Sequence, residues 1–150
     1  MALQAWHSQV KRADQLFEGL SDERLMAPVA PGRNRGIYLL GHLTAVHDDL
    51  FTLFGIEKAL YPELLDPFVK KADNVNAPYP SLSDLRRYWA EVNQTLAKHI
   101  DALPDEAWFQ RHTRVSEEDF AKEPHRNRLN VLLSRTAHVA YHLGQLVFLK

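Results

Sequence analysis

Residues 138 to 142 read HVAYH, so His138 and His142 stand four apart. On a helix, residues at that spacing project from nearly the same side, with Cβ atoms about 5–6 Å apart, and two imidazoles can share one ion. With eight histidines in 150 residues, such a pair arises by chance often enough that the spacing alone decides nothing. The pair lies at the flank of an apolar stripe, pointing between helices, where bare imidazoles would need polar partners. A third ligand would have to come from another element, and LLGHLTAVHDDLF, residues 39 to 51, supplies His42 and His47. These two are about 140° apart in helical projection, so both do not reach one ion. His42 follows Gly41, which is small enough to let a neighbour approach. His47 adjoins Asp48 and Asp49 and can be exposed, paired, or a support behind a ligand.

The other polar side chains nearby receive plainer readings. Gln145, three after His142, is a candidate to orient a ligand or a bound water, or else a polar residue at the helix flank. Tyr141 is read as a core or interface aromatic rather than a proton donor. Arg135, three before His138, is read as a surface salt-bridge residue rather than a contact for an anionic substrate. His99 falls on an apolar stripe as a core or edge histidine, and His7, His112 and His125 as solvated ones.

Composition narrows the chemistry. The absence of cysteine excludes disulfides, thiolate metal ligands and a protein-borne thiol nucleophile, so any sulfur chemistry must arrive on a cosubstrate. No E-x-x-H pair of a di-iron bundle, H-E-x-x-H helix, P-loop, dinucleotide-binding glycine pattern or G-x-S-x-G occurs. With 18 Lys+Arg against 19 Asp+Glu and no long block of like charge, neither nucleic acid nor anionic lipid is an expected partner. No run approaches the roughly 18–20 apolar residues that span a bilayer, and the chain is read as cytoplasmic.

The elements that must position these residues follow from periodicity. Leu3, Trp6, Val10, Ala13, Phe17 and Leu20 alternate spacings of three and four, the stripe of a first amphipathic helix. After APGRNRG, with Asn34 as candidate N-cap, Leu39, Leu43, Val46, Leu50 and Leu53 mark a second helix ending at Gly55. Four prolines then punctuate a connector over 56 to 80, with a turn of helix around PELLDPF. Ser81 and Asp84 form a capping-box pattern before a third stripe of Leu85, Trp89, Val92, Leu96 and Leu103. A polar stretch over 110 to 128 precedes a fourth, nearly all-apolar helix from Leu129, with Leu132, Val139, Leu143 and Leu146 as its stripe; this helix should be the most buried. The first helix ends in LSDERL and the third in LPDEAW, and RNR precedes the second and fourth, so the chain looks like two similar hairpins. The pattern predicts one all-α domain over 1–150, a four-helix bundle whose long connection crosses between parallel second and third helices. Trp6, Tyr88, Trp89 and Phe148, spread over several faces, suggest an apolar patch and a homodimer.

GIYLLGHLTAVHDDLFTLFG, residues 36 to 55, together with HVAYHLGQL, residues 138 to 146, resembles the DinB/YfiT-like family of four-helix metal-binding proteins. The resemblance covers most of the chain, including the turn after the first helix and the Pro-Gly approach to the second. The chain departs from it at Asn34, where family members often carry Trp. The resemblance implies that His42, His138 and His142 are ligands of a divalent transition metal, with His47 at a position often acidic or polar. Neutral imidazoles suit Zn or Ni, and also Fe, Mn or Cu. Three protein ligands leave positions open, as catalytic sites do. Relatives include thiol-dependent isomerases and S-transferases, in which the metal holds a low-molecular-weight thiol as thiolate. The resemblance therefore implies such an enzyme acting on a small molecule. The alternatives are a metal-dependent hydrolase on the same site, or a non-catalytic small-ligand-binding or regulatory bundle.

Ligand choice and topology are coupled. If the second and fourth helices run antiparallel, His42 lies about 12 Å along its helix and the midpoint of His138 and His142 about 15 Å along theirs, measured from the same end. His47, at about 20 Å, fits that arrangement less well.

Overall fold

Trp6, Ala13, Leu16 and Phe17 recur at helical spacing and form the buried face of α1 (Ala2–Gly19) in the structure, a computed structural model that describes residues 1 to 150. Leu20 and Ser21 turn the chain into the short α2 (Asp22–Met26), where the Ser21 side chain accepts from the Arg24 amide. The second long helix, α3 (Gly36–Phe54), ends on Gly55, whose φ of 65° is the left-handed cap that glycine adopts without strain. A connector follows, carrying a 3-10 turn at Pro62–Leu64 and a π turn at Asp66–Lys70. The third long helix, α4 (Leu82–Asp101), begins with Ser81 accepting from the Asp84 amide, as the capping pattern requires. Short helices α5 (Asp105–Trp108) and α6 (Glu117–Lys122) lead to α7 (Arg128–Leu146), which closes with a 3-10 turn at Val147–Leu149. The chain is all-α and has no strands.

Residue pairs set the directions of the four long helices. In α3 and α4, His47 bonds to Asn93 and Phe51 meets His99 edge-on, so numbers rise together and the helices are parallel. Between α1 and α4 the pairs run oppositely: His7 bonds to Asp101, while Arg86 bonds to the carbonyls of Phe17 and Leu20. α3 and α7 are also antiparallel. The start of α3 at Gly36 packs against Leu149 after α7, while Leu53 near the end of α3 accepts from Thr113, in the loop that feeds α7.

The connector lies on α3 and is bound to it. Phe68 and Leu64 are fully buried, and both oxygens of Asp48 accept, from the amides of Leu60 and Tyr61 at 2.7 and 2.8 Å. Asp73 reaches the first turn of α3, accepting from the Arg35 amide at 2.8 Å and from its guanidinium at 2.6–3.2 Å.

Several expectations are corrected. The most buried helix is α3, with 17 of 19 residues buried, against five in α7. It is flanked by α4, α7 and the connector, whereas α7 keeps an open outer face. The N-cap of α3 is Arg35 rather than Asn34, because Asp73 supplies from a distance the capping carboxylate that a local side chain would otherwise provide. The polar stretch over 110 to 128 contains α6, capped by Ser116. Trp6 and Trp89 belong to the core, whereas Phe148 is exposed. The two halves match in detail: α2 and α5 occupy the paired LSDERL and LPDEAW segments, and antiparallel bridges Pro28–Arg35 and Arg111–Asn127 stand before α3 and α7.

Candidate metal centre

Gly41 allows the site to form. A Cβ there would lie 2.4–2.5 Å from three ring atoms of Phe68, so only glycine lets that ring press onto α3. The same approach brings the Phe68 carbonyl to 2.7 Å from His42 Nδ1. A carbonyl only accepts, so Nδ1 carries the proton and His42 Nε2 turns a lone pair away from the connector, toward α7. On α7, His142 Nδ1 lies 2.8 Å from Gln145 Oε1, which fixes the same tautomer there. His142 Nε2 is 3.0 Å from His138 Nε2, and His42 Nε2 is 3.1 Å from that same nitrogen.

Three imidazoles thus converge, with one ligand atom of each within 4.8 Å of the others. His42 and His138 are half-buried and His142 is buried. The contacts cannot all be hydrogen bonds. Two of the three Nε2 atoms have their protons committed on the outer nitrogen, and His138 can place one proton between them at most. At least one of the two contacts therefore sets lone pair against lone pair, a repulsive arrangement that a cation between them relieves. Two nitrogens bound to one tetrahedral ion at 2.0–2.1 Å stand about 3.3 Å apart, close to the spacing found here. The donor set fits a divalent transition metal.

Electrostatics keeps the group ready to ligate. Burial holds His42 and His142 below the usual imidazole range, and His138 is pushed down to about 3 by burial, then by its neighbours His142, His42 and Arg135. All three are neutral at pH 7, the form in which imidazole binds metal.

His47 lies elsewhere. It is fully buried between Trp6 and Trp89, with ring centroids 4.6 and 4.9 Å away, and its Nδ1 is 2.7 Å from Asn93 Oδ1. Five residues after His42, it faces α1 and α4, and it does not join the three-His group. Burial pushes it down to about 4 against the opposing pull of Asn93.

The remaining residues divide. Gln145 bonds to His142 and, through its amide nitrogen, to the Tyr141 hydroxyl at 3.2 Å. Tyr141 is 63% exposed and not in the core. Arg135 makes no surface salt bridge, and its Nε is buried without a partner. His99 pairs with Glu57 at 3.3 Å at the edge of α4, and His7 is held by Asp101 rather than freely solvated. The half-buried His112 accepts from the Arg114 amide, and His125 is exposed. Sequence reasoning did not identify the Phe68 carbonyl or Asn93. Gly41 was the one signal for the first, and the second carried none, since an asparagine in a helix stripe has no pattern of its own.

A family model described as the DinB superfamily matches residues 5–146. No curated protein matches the chain.

Proposed function

The chain belongs to the DinB superfamily, and on that premise we propose that it is a metal-dependent enzyme of the thiol-dependent S-transferase or isomerase type, with zinc or nickel held by Nε2 of His42, His138 and His142. The observation that carries this reading is His138 Nε2 standing 3.0 and 3.1 Å from the Nε2 atoms of His142 and His42, with one ligand atom of each ring within 4.8 Å of the others, while two of the outer nitrogens are tied to Phe68 and Gln145. A bound divalent ion would supply an electrophilic centre with positions left open by only three protein ligands. The chain's own contribution is placement. Phe68 and Gln145 lock two rings, and burial keeps all three neutral. The chain has no cysteine, so a thiol nucleophile would come from a cosubstrate.

The test begins with elemental analysis of untagged protein, since a histidine tag brings its own nickel. One equivalent of metal per chain is expected, lost in His42→Ala, His138→Ala and His142→Ala and kept in His47→Ala. A site emptied by His47→Ala and left full by His42→Ala would overturn the ligand set. Turnover of an electrophile with a panel of low-molecular-weight thiols should need both thiol and metal. Turnover that needs metal and no thiol would favour hydrolysis, and turnover unchanged by chelator would sink both reactions.

A further inference from the structure

Arg135 lies on α7 one helical turn before His138, on the same face. Its Nε is buried with no hydrogen-bond partner in the protein. The carboxylate that acts on it, Asp49, is already engaged by the two terminal nitrogens of Arg114, at 2.5 and 3.0 Å. Two guanidinium groups therefore face one carboxylate, leaving a local excess of one positive charge beside the three histidines. A second donor adds to it. With His138 Nε2 turned to the other two rings as a lone pair, the proton sits on Nδ1, which is also buried without a partner. Arg135 itself is half-buried and makes no ion pair, and buried N–H groups normally find acceptors.

We infer that Arg135 is the anion-binding residue of this site and that the small molecule working at the three histidines carries a carboxylate. The planar guanidinium presents paired donors that match two carboxylate oxygens. The inference rests on the three-His group being the working centre, and it narrows the substrate class to acids.

The experiment titrates acetate, with acetamide as the neutral control of the same shape, into the full untagged chain by calorimetry, metal-free and zinc-loaded. Metal-free wild type should bind acetate and prefer it to acetamide. Arg135→Gln and Arg135→Met should each weaken acetate about tenfold or more, the loss of one charge-assisted contact. Zinc content should be unchanged, and both variants should melt no lower than wild type, because neither substitution removes a hydrogen bond or an ion pair within the protein. Acetate binding indifferent to both substitutions would overturn the inference. A melting temperature lowered by several degrees in Arg135→Met, which keeps the aliphatic stem, would overturn it too by showing a structural cation. Failure of the two readings is distinguishable. Wild-type protein that takes up no zinc yet binds acetate through Arg135 removes the metal and keeps the anion site, whereas zinc uptake with acetate indifferent to Arg135 does the reverse.

Discussion

His47, enclosed by two indole rings, has no water with which to solvate a charge, and its pKa near 4 follows from that. The unfolded chain binds a proton at this imidazole below about pH 6.5 while the folded chain does not. Its contribution to stability is therefore complete above about pH 6.5 and lost as pH falls toward 4, roughly 3 kcal/mol in all. The three clustered histidines are lowered as well and act in the same direction. In metal-free protein, urea melts at a series of pH values should show this decline, and His47→Leu should show a flatter one whatever its absolute stability. Equal slopes in the two proteins would mean that His47 is protonated in the fold. The identity of His47 as a histidine was plain from the sequence, but its neutrality was not. The adjoining Asp48 and Asp49 left His47 exposed, paired or supporting a ligand, yet Asp48 is spent on the amides of Leu60 and Tyr61, and Asp49 on Arg114.

α3 is the element through which local sequence becomes a site. Its N-terminal turn is held by Asp73, its middle by Phe68 against Gly41, and its outer nitrogen on His42 by the Phe68 carbonyl. Gly41→Ala is expected to push the Phe68 ring off the helix, costing about 1–3 kcal/mol as overpacking does. The carbonyl then leaves His42 Nδ1, so metal affinity should fall together with stability. Metal titration and urea melts check both. Stability lost with affinity intact would show that the Phe68 carbonyl does not position His42. The helices themselves were legible, because a stripe at spacings of three and four is a property of one segment. The cap on α3 was not, because its carboxylate comes from a residue 38 positions away.

At the scale of the whole molecule, α7 and the 3-10 turn after it leave Leu133, Ala137, Ala140, Tyr141, Gly144, Val147 and Phe148 exposed, an uncharged set of residues along one helix. Such a face is self-complementary across a two-fold axis, and its small residues let two helices approach closely. The protein is expected to run as two chains in light scattering at micromolar concentration, and Gly144→Glu to run as one with its helical content retained. Wild type running as a single chain would contradict this. The face differs from the aromatic spread that first suggested a dimer, since Trp6 and Trp89 are core and Tyr88 stacks on Tyr61 at 3.9 Å.

What the sequence determined by itself was whatever depends on near neighbours: four amphipathic stripes, the Ser81 cap, the shared side of His138 and His142, and the exclusion of His42 and His47 from one ion. Each follows from the 100° turn per residue of a helix and needs no knowledge of the rest of the chain. Only the tertiary structure decided which histidine completes the group, because that depends on the antiparallel alignment of α3 with α7, which brings His42 to the level of the pair and turns His47 toward α1 and α4. It also decided that Arg135 makes no ion pair of its own. The charge of Asp49 acts on both arginines, but Arg114 arrives from a loop 65 residues away and takes both of its oxygens. Competition of that kind between distant segments for one carboxylate is settled by packing, and no local pattern records it.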